Sequence, residues 1–334
     1  MQSSAMNELA QGIAQYIAQH VPQQAPAVGP LVAKLRARYG ENLRAVLLYG
    51  SCLHSGDLKG LFDLYALVDS YQAAHANRLA ATMNALLPPN VYYLEAELAE
   101  QSGEPEGAVH RVRAKYALLT LADFQAGVSP RWFHSYLWAR FSQPSALVWA
   151  RDDLTAQLIH ASFAEAVCTF VKRCLPLLPR RWTIADLWQE GLRWTYRAEF
   201  RPEQPERQQQ LFAASKVYYT VITPIALKAL KSDGHGAVQV GGTAEEPLFE
   251  AKIAPELRRR ALLAWKLRIV QGKALSLLRL AKAAFTFKGG VEYIVWKIER
   301  HSGVHMEVSP FLRRHPLLAL CFLSLRLYRR GGVR

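Results

Sequence analysis

Two hydrophobic periods share the chain, a strand-like one in the first half and a helical one at both ends. Residues 5–20 and 29–39 place apolar side chains at helical spacing, which predicts two amphipathic helices, the second ending near Gly40. Arg44 to Tyr49 reads as a short buried strand that Gly50-Ser51 ends abruptly. Leu61 to Val68 is a second strand, an apolar run with Asp63 near its start. Residues 71–87 predict a helix stopped by Pro88-Pro89. Asn90 to Leu98 and Ala108 to Leu121 alternate, with a Glu- and Gly-rich loop at 99–107, and together predict an antiparallel hairpin. Ser129-Pro130 is expected to open a helix, with Ser129 as N-cap, that carries Trp132, Tyr136 and Arg140 on one face. Ala146 to Trp149 is a further short strand.

From Asp153 onward the pattern is almost entirely helical. Thr183 with Asp186 is similar to a capping box. A long helix is expected from Glu206 to Leu230, then a flexible glycine-rich loop from Ser232 to Glu246. Pro255 to Phe287 predicts a strongly basic helix, and Val291 to Arg300 a short one beyond Lys288-Gly289-Gly290. The fold class expected is α+β, a mixed sheet with flanking helices followed by a mostly helical C-terminal half. Three units are expected, at 1–175, 176–245 (helical, winged-helix-like) and 246–334 (basic and helical, with a docking tail).

Charge narrows the partners. In 334 residues, 41 Lys and Arg face 27 Asp and Glu, a formal net charge of +14. That excess favours an anionic partner: nucleotide, nucleic acid or an acidic membrane surface. Gly-Arg runs and interleaved aromatic-basic patches are lacking, so nucleic acid is not the expected one. Cys52, Cys168, Cys174 and Cys321 have neither paired spacing nor a neighbouring His cluster, which predicts no disulfide framework and no zinc site, and a reducing, cytoplasmic compartment. Residues 1–10 carry no Lys or Arg and do not read as a signal or transit peptide. No apolar stretch is expected to reach the roughly 20 residues that span a bilayer. The C-terminal run Pro316 to Tyr328, between Arg313-Arg314-His315 and Arg329-Arg330, suits either a membrane-interface segment or a buried helix with a basic tail.

Candidate chemistry gathers at the first two strands. Gly50 lets a ligand approach the backbone closely. Asp63 stands inside an apolar run, where an unpaired charge is costly to bury, so a metal or a cationic partner is expected beside it. Asp69 shares its strand parity and is the nearest second carboxylate on that side. The row Arg111, Arg113 and Lys115 forms either a solvated strand face or a surface for polyphosphate. A strand, a Gly-Ser turn and a carboxylate on the next strand resemble the arrangement of polymerase-β-like nucleotidyltransferases.

The wider chain resembles the mitochondrial-type CTP:phosphatidate cytidylyltransferases, the mitochondrial translocator assembly and maintenance family, which also has bacterial members. The matching segments are Tyr49-Gly50-Ser51, Asp63-Leu64-Tyr65, Val68-Asp69 with His75, Val91-Tyr92-Tyr93, Lys115-Tyr116-Ala117-Leu118, Trp132 with Tyr136, Arg140 and Pro144, Tyr196 to Arg201, and Lys288-Gly289. Departures from the family pattern are Cys52, Leu94, Ala117 and Ala198-Glu199. They leave open a diverged relative that uses another nucleotide or another lipid acid.

The resemblance implies a Mg²⁺-dependent reaction of CTP with phosphatidic acid that gives CDP-diacylglycerol and pyrophosphate for phospholipid (phosphatidylglycerol and cardiolipin) synthesis. It implies a peripheral position on the inner face of a membrane. It assigns Tyr49, Gly50 and Ser51 to the nucleotide, Asp63 and Asp69 to the metal, and Lys115 to phosphate. Arg201 and Lys288 become candidates for phosphate or the lipid headgroup. Glu199 is either a group supporting the site or half of a surface ion pair, and His75 is either catalytic or a packing residue. The rival classes are a nucleotidyltransferase acting on RNA or a small molecule, and an inactive relative that binds nucleotide or lipid.

Overall fold

The computed structural model describes residues 2–20, 25–50, 53, 61–98, 111–199, 205–231, 237–243 and 246–286. The fold is α+β. Two helices, α1 (Gln2–His20) and α2 (Ala25–Tyr39), precede the antiparallel strands β1 (Leu43–Tyr49) and β2 (Leu61–Val68). Short helices α3 (Tyr71–Ala74) and α4 (Arg78–Leu86) lead to β3 (Asn90–Glu97) and β4 (Arg111–Thr120). Then follow α5 (Leu121–Val128), α6 (Trp138–Phe141), β5 (Ala146–Ala150) and the long α7 (Asp153–Cys174).

The strands form one mixed sheet in the order β3-β4-β2-β1-β5, with β2 and β4 parallel and the other pairs antiparallel. Both faces are covered, which is why β1 and β2 read as near-continuous apolar runs. On one face Val46, Leu48, Leu64, Ala66 and Tyr116 pack under α2. On the other, Leu47, Tyr65, Leu67 and Ala117 pack against α7 and its neighbours.

The second half is helical with a small sheet inserted. β6 (Arg181–Thr183) and β7 (Val238–Gly242) flank β8 (Pro247–Glu250) in an antiparallel three-stranded sheet. Between β6 and β7 lie α8 (Ile184–Arg197), α9 (Pro205–Ala214) and α10 (Lys216–Lys231). The last described element is α11 (Pro255–Thr286). Thr183 and Asp186 form the capping box in full: each side chain accepts from the other residue's backbone N–H.

Several expectations are corrected. The stretch 71–87 is two helices, because His75 turns away after α3 and Asn77 caps α4 anew. Leu121 opens a helix instead of ending β4, since the Thr120 side chain accepts from the Asp123 N–H. No helix runs from Ser129. The Ser129 hydroxyl instead donates to the Ala126 carbonyl and accepts from the Arg131 N–H, local bonds that compete with a helix, and only α6 is helical there. The run 206–230 breaks at Ser215 into α9 and α10. The glycine-rich segment contains β7, so a boundary at 245 falls inside a sheet. One hydrophobic core extends from Ala5 to Trp265 across both proposed boundaries.

Asp153–Leu177 is long and apolar enough to cross a bilayer by length and composition, against the sequence expectation, but 61% of that window is buried within the protein. Cys168 and Cys174 are buried and form no disulfide among the described residues. Ser51, Cys52, Arg201, Lys288, the short helix expected from Val291, Cys321 and the C-terminal tail lie outside the described residues.

Candidate active site

One residue from each of four strands builds a row across the sheet. In register stand Tyr49 on β1, Asp63 on β2, Lys115 on β4 and Tyr93 on β3. All four share the sheet face that carries Tyr65 and Ala117, since residues two apart on a strand point the same way. Lys115 Nζ lies 2.8 Å from Asp63 Oδ1. That contact neutralises charge, yet its alignment is not that of a hydrogen bond, and the buried Oδ1 has no hydrogen-bond partner.

Gly50 follows Tyr49 at the strand end with φ 86°, in the left-handed region that favours glycine. A Cβ there would lie 2.7 Å from Asp63 Oδ2. The missing side chain is therefore what allows the bend to close over the carboxylate. Gly50, Asp63 and Lys115, read from the sequence as one site, are together in space.

Beside them Arg140 of α6 sits among tyrosines. Its guanidinium donates to the Tyr65 hydroxyl at 3.1 Å and the Tyr49 hydroxyl at 3.4 Å. It stacks on the rings of Tyr136 (4.5 Å) and Tyr49 (5.0 Å), and Glu199 lies 3.6 Å away. The other side of the arrangement is closed by Arg279 of α11, 4.6 Å from the Tyr136 ring. Burial pushes the Tyr49 hydroxyl up, against the pull of Arg140 and with the help of Asp63. For Tyr136 burial also acts upward, but Arg140, Arg279 and the Tyr65 hydroxyl outweigh it and hold its hydroxyl below the usual tyrosine value. Sequence reasoning placed Arg140 on a helix face and named Tyr65 only as part of the segment Asp63-Leu64-Tyr65. It did not see that the Tyr65 hydroxyl is Arg140's acceptor.

Other expected members fall elsewhere. Asp69 lies just past the end of β2, six residues from Asp63 and so roughly 20 Å along the strand. Arg44 (3.2 Å) and Arg151 (3.0 Å) hold it there, and its N–H donates to Asn42 at the opposite end of β1 from Gly50. One ion cannot bind both carboxylates, so pairing them as metal ligands is set aside. Their shared parity hid the distance. His75 packs with Tyr92, on the α2 side of the sheet, and its ring lies 3.4 Å from the Asn84 amide. It is remote from the row. On β4, Arg113 pairs with Glu95 at 3.2 Å, whereas Lys115 turns to Asp63. A cleft of about 590 Å³ opens at Leu177, Pro179, Asp186, Glu190, Arg193 and Gln209, and no member of the row lines it.

The donor set bears on the Mg²⁺ that the resemblance implies. Among the described residues no three His, Cys, Asp or Glu side chains converge on a common point. Magnesium nonetheless needs only one or two carboxylates when phosphates and waters complete its shell. Asp63, with a buried oxygen lacking a hydrogen bond and a bare glycine against it, fits that role. Compared with known proteins, the chain matches no family model and no curated protein.

Proposed function

We propose that the chain is a nucleotidyltransferase that joins the cytidylyl group of CTP to phosphatidic acid at a membrane surface. The observation that carries this reading is the closure of Gly50 over Asp63 with Lys115 in contact, at the end of two central strands. In the reaction a phosphate oxygen of the lipid attacks the α-phosphorus of CTP. The α–β phosphoanhydride bond breaks and pyrophosphate leaves with its electron pair. Such chemistry asks the protein for positioning and charge neutralisation more than for covalent help. Lys115 and Arg140 supply fixed positive charge toward the phosphates. The bare backbone at Gly50 admits the triphosphate chain, and Asp63 is the residue that would hold Mg²⁺. When bound there, the ion supplies charge stabilisation on the phosphate and pyrophosphate oxygens. Tyr49 and Tyr65 hold the Arg140 guanidinium in place by hydrogen bonds.

A second reading, binding of a nucleotide or lipid phosphate without turnover, is favoured by the remoteness of Asp69, which leaves Asp63 as the one described carboxylate of the row. Turnover of radiolabelled CTP with phosphatidic acid and Mg²⁺, run beside ATP, GTP and UTP, separates the two. The expected result is CDP-diacylglycerol from CTP and none from Asp63→Asn, with folding intact. Equal turnover by wild type and Asp63→Asn would remove the carboxylate from the mechanism.

A further inference from the structure

The structure points to the outward face of α11 as a docking surface for an anionic membrane, and we propose that this helix lies along the lipid surface. The claim rests on the reading of a lipid substrate above. It names the surface that brings the site to that lipid.

The inward face of α11 is seated on the rest of the chain by side-chain hydrogen bonds. Trp265 donates to the Arg173 carbonyl (3.0 Å), Arg268 to that of Phe133 (2.8 Å), Arg279 to that of Pro88 (2.8 Å), and Lys282 to that of Leu87. Gly272 abuts the Ala198 carbonyl so closely that a side chain would not fit. The outward face is different. Leu263, Leu267, Val270 and Leu277 follow one another at intervals of four, three and seven, a single helical stripe, and Leu278 borders it. Each is more than half exposed. The stripe runs about 22 Å along the axis at 1.5 Å per residue. Arg259, Lys266 and Lys273, seven apart, line one border, Arg260 stands at the other, and all four are exposed. After Glu256 no Asp or Glu occurs in the helix.

An apolar strip rimmed by cations with no acidic residue is the pattern of a helix lying in the membrane interface, where long basic side chains reach the headgroups from the edges of the strip. A second copy would bring the same cationic borders face to face, with like charges opposed. Of the chain beyond α11, residues 287–307 balance Glu292, Glu299 and Glu307 against Lys288, Lys297 and Arg300, and residues 308–334 carry no Asp or Glu, so charge does not favour either as a cover. An anionic lipid surface complements both the strip and its rim. The geometry also serves the site. Gly272 backs onto Ala198, the neighbour of Glu199, whose carboxylate faces Arg140, and Arg279 closes the stack on Tyr136.

The test is sedimentation of the full chain with vesicles of phosphatidylcholine, with and without phosphatidylglycerol, in the absence of nucleotide and phosphatidic acid. Wild type is expected to bind the anionic vesicles, and added salt to weaken that binding. Leu267→Glu combined with Leu277→Glu is expected to weaken it at least about tenfold, as the loss of a buried leucine side chain predicts. Val270→Trp is expected to strengthen it, a gain that no folding defect imitates. Asp63→Asn is expected to dock like wild type.

Unchanged vesicle binding by the double leucine variant overturns the proposal. So does a fall in its thermal midpoint or a loss of self-association while vesicle binding persists, since another part of the chain or a second copy then covers the face. Docking without CTP turnover would reject the enzymatic reading alone. Turnover of a water-soluble short-chain phosphatidate without docking would reject this inference alone.

Discussion

At the scale of single residues, the site depends on one missing side chain and one half-buried carboxylate. Gly50 has φ 86°, and any Cβ meets Asp63. Gly50→Ala therefore combines a left-handed backbone with a steric conflict, and is expected to cost about 1–3 kcal/mol. Urea denaturation beside wild type measures it, and an unshifted midpoint would refute the close approach. His134 sets a pH dependence of its own. Burial, then Arg279 and Arg140, push its imidazole down to about 3. Its Nδ1 accepts from the Tyr136 N–H at 3.4 Å, which needs the neutral ring. On acidification the unfolded chain takes up this proton near pH 6.5, while the folded chain resists until about pH 3. The contribution is thus whole above about pH 6.5 and is lost as pH falls toward 3, at no more than about 1.4 kcal/mol per pH unit. His134→Gln is expected to flatten that part of the stability profile. Denaturation midpoints measured across the acid range check it, and an unchanged slope counts against the buried neutral ring.

At the scale of elements, the strand row was legible and the helices that close around it were not. The turn at Gly50 and the carboxylate of Asp63 could be read from the apolar runs of two central strands, while Lys115 joined them through the resemblance. Asp69 was misplaced because parity says nothing about where a strand ends. Residues 129–137 were read as helix because spacing alone cannot weigh Ser129's competing bonds. The small sheet escaped notice because β6 has three residues and β7 is exposed along its whole length, so neither carries a hydrophobic period. The meeting of Arg140, Glu199 and Arg279 left no trace in local pattern, since they come from three distant segments. The seat of α11 gives an element-level prediction. Gly272→Val drives a branched side chain into the Ala198 carbonyl and is expected to cost at least about 1–3 kcal/mol. Because Glu199 adjoins that seat, the same variant is expected to lower CTP turnover as well. Wild-type stability in a denaturant titration would show that α11 does not rest there.

At the scale of the whole molecule, charge and core pull in different directions. A formal charge of +14 opposes compaction, and much of it stands on faces turned outward. The counterweight is a core that runs through both halves of the chain on one face of the sheet, beside a second cluster under α2. In it α1 packs on α10 as well as α7, and α7 lies against α8 and α10. Phe170 stacks on Trp188, Trp188 on Tyr219, and Tyr219 on Phe212, an aromatic column that passes from α7 through α8 and α10 to α9. Cutting at residue 175 would divide that column and uncover the buried faces of both α1 and α7. The fragment 1–175 keeps its whole five-stranded sheet, so strand pairing alone does not decide the outcome. What it loses is the apolar partner of its longest helix, and side chains of that size each contribute about 1.5–3 kcal/mol when buried. That loss is comparable to the entire stability of a typical domain, about 5–15 kcal/mol. The full chain is therefore expected to unfold in a single cooperative transition. The 1–175 fragment is expected to show none, and to bind a hydrophobic dye at temperatures where the full chain does not. Calorimetry of both decides the point: a sharp transition in the fragment at the midpoint of the full chain would mean that the sheet and its helices stand alone.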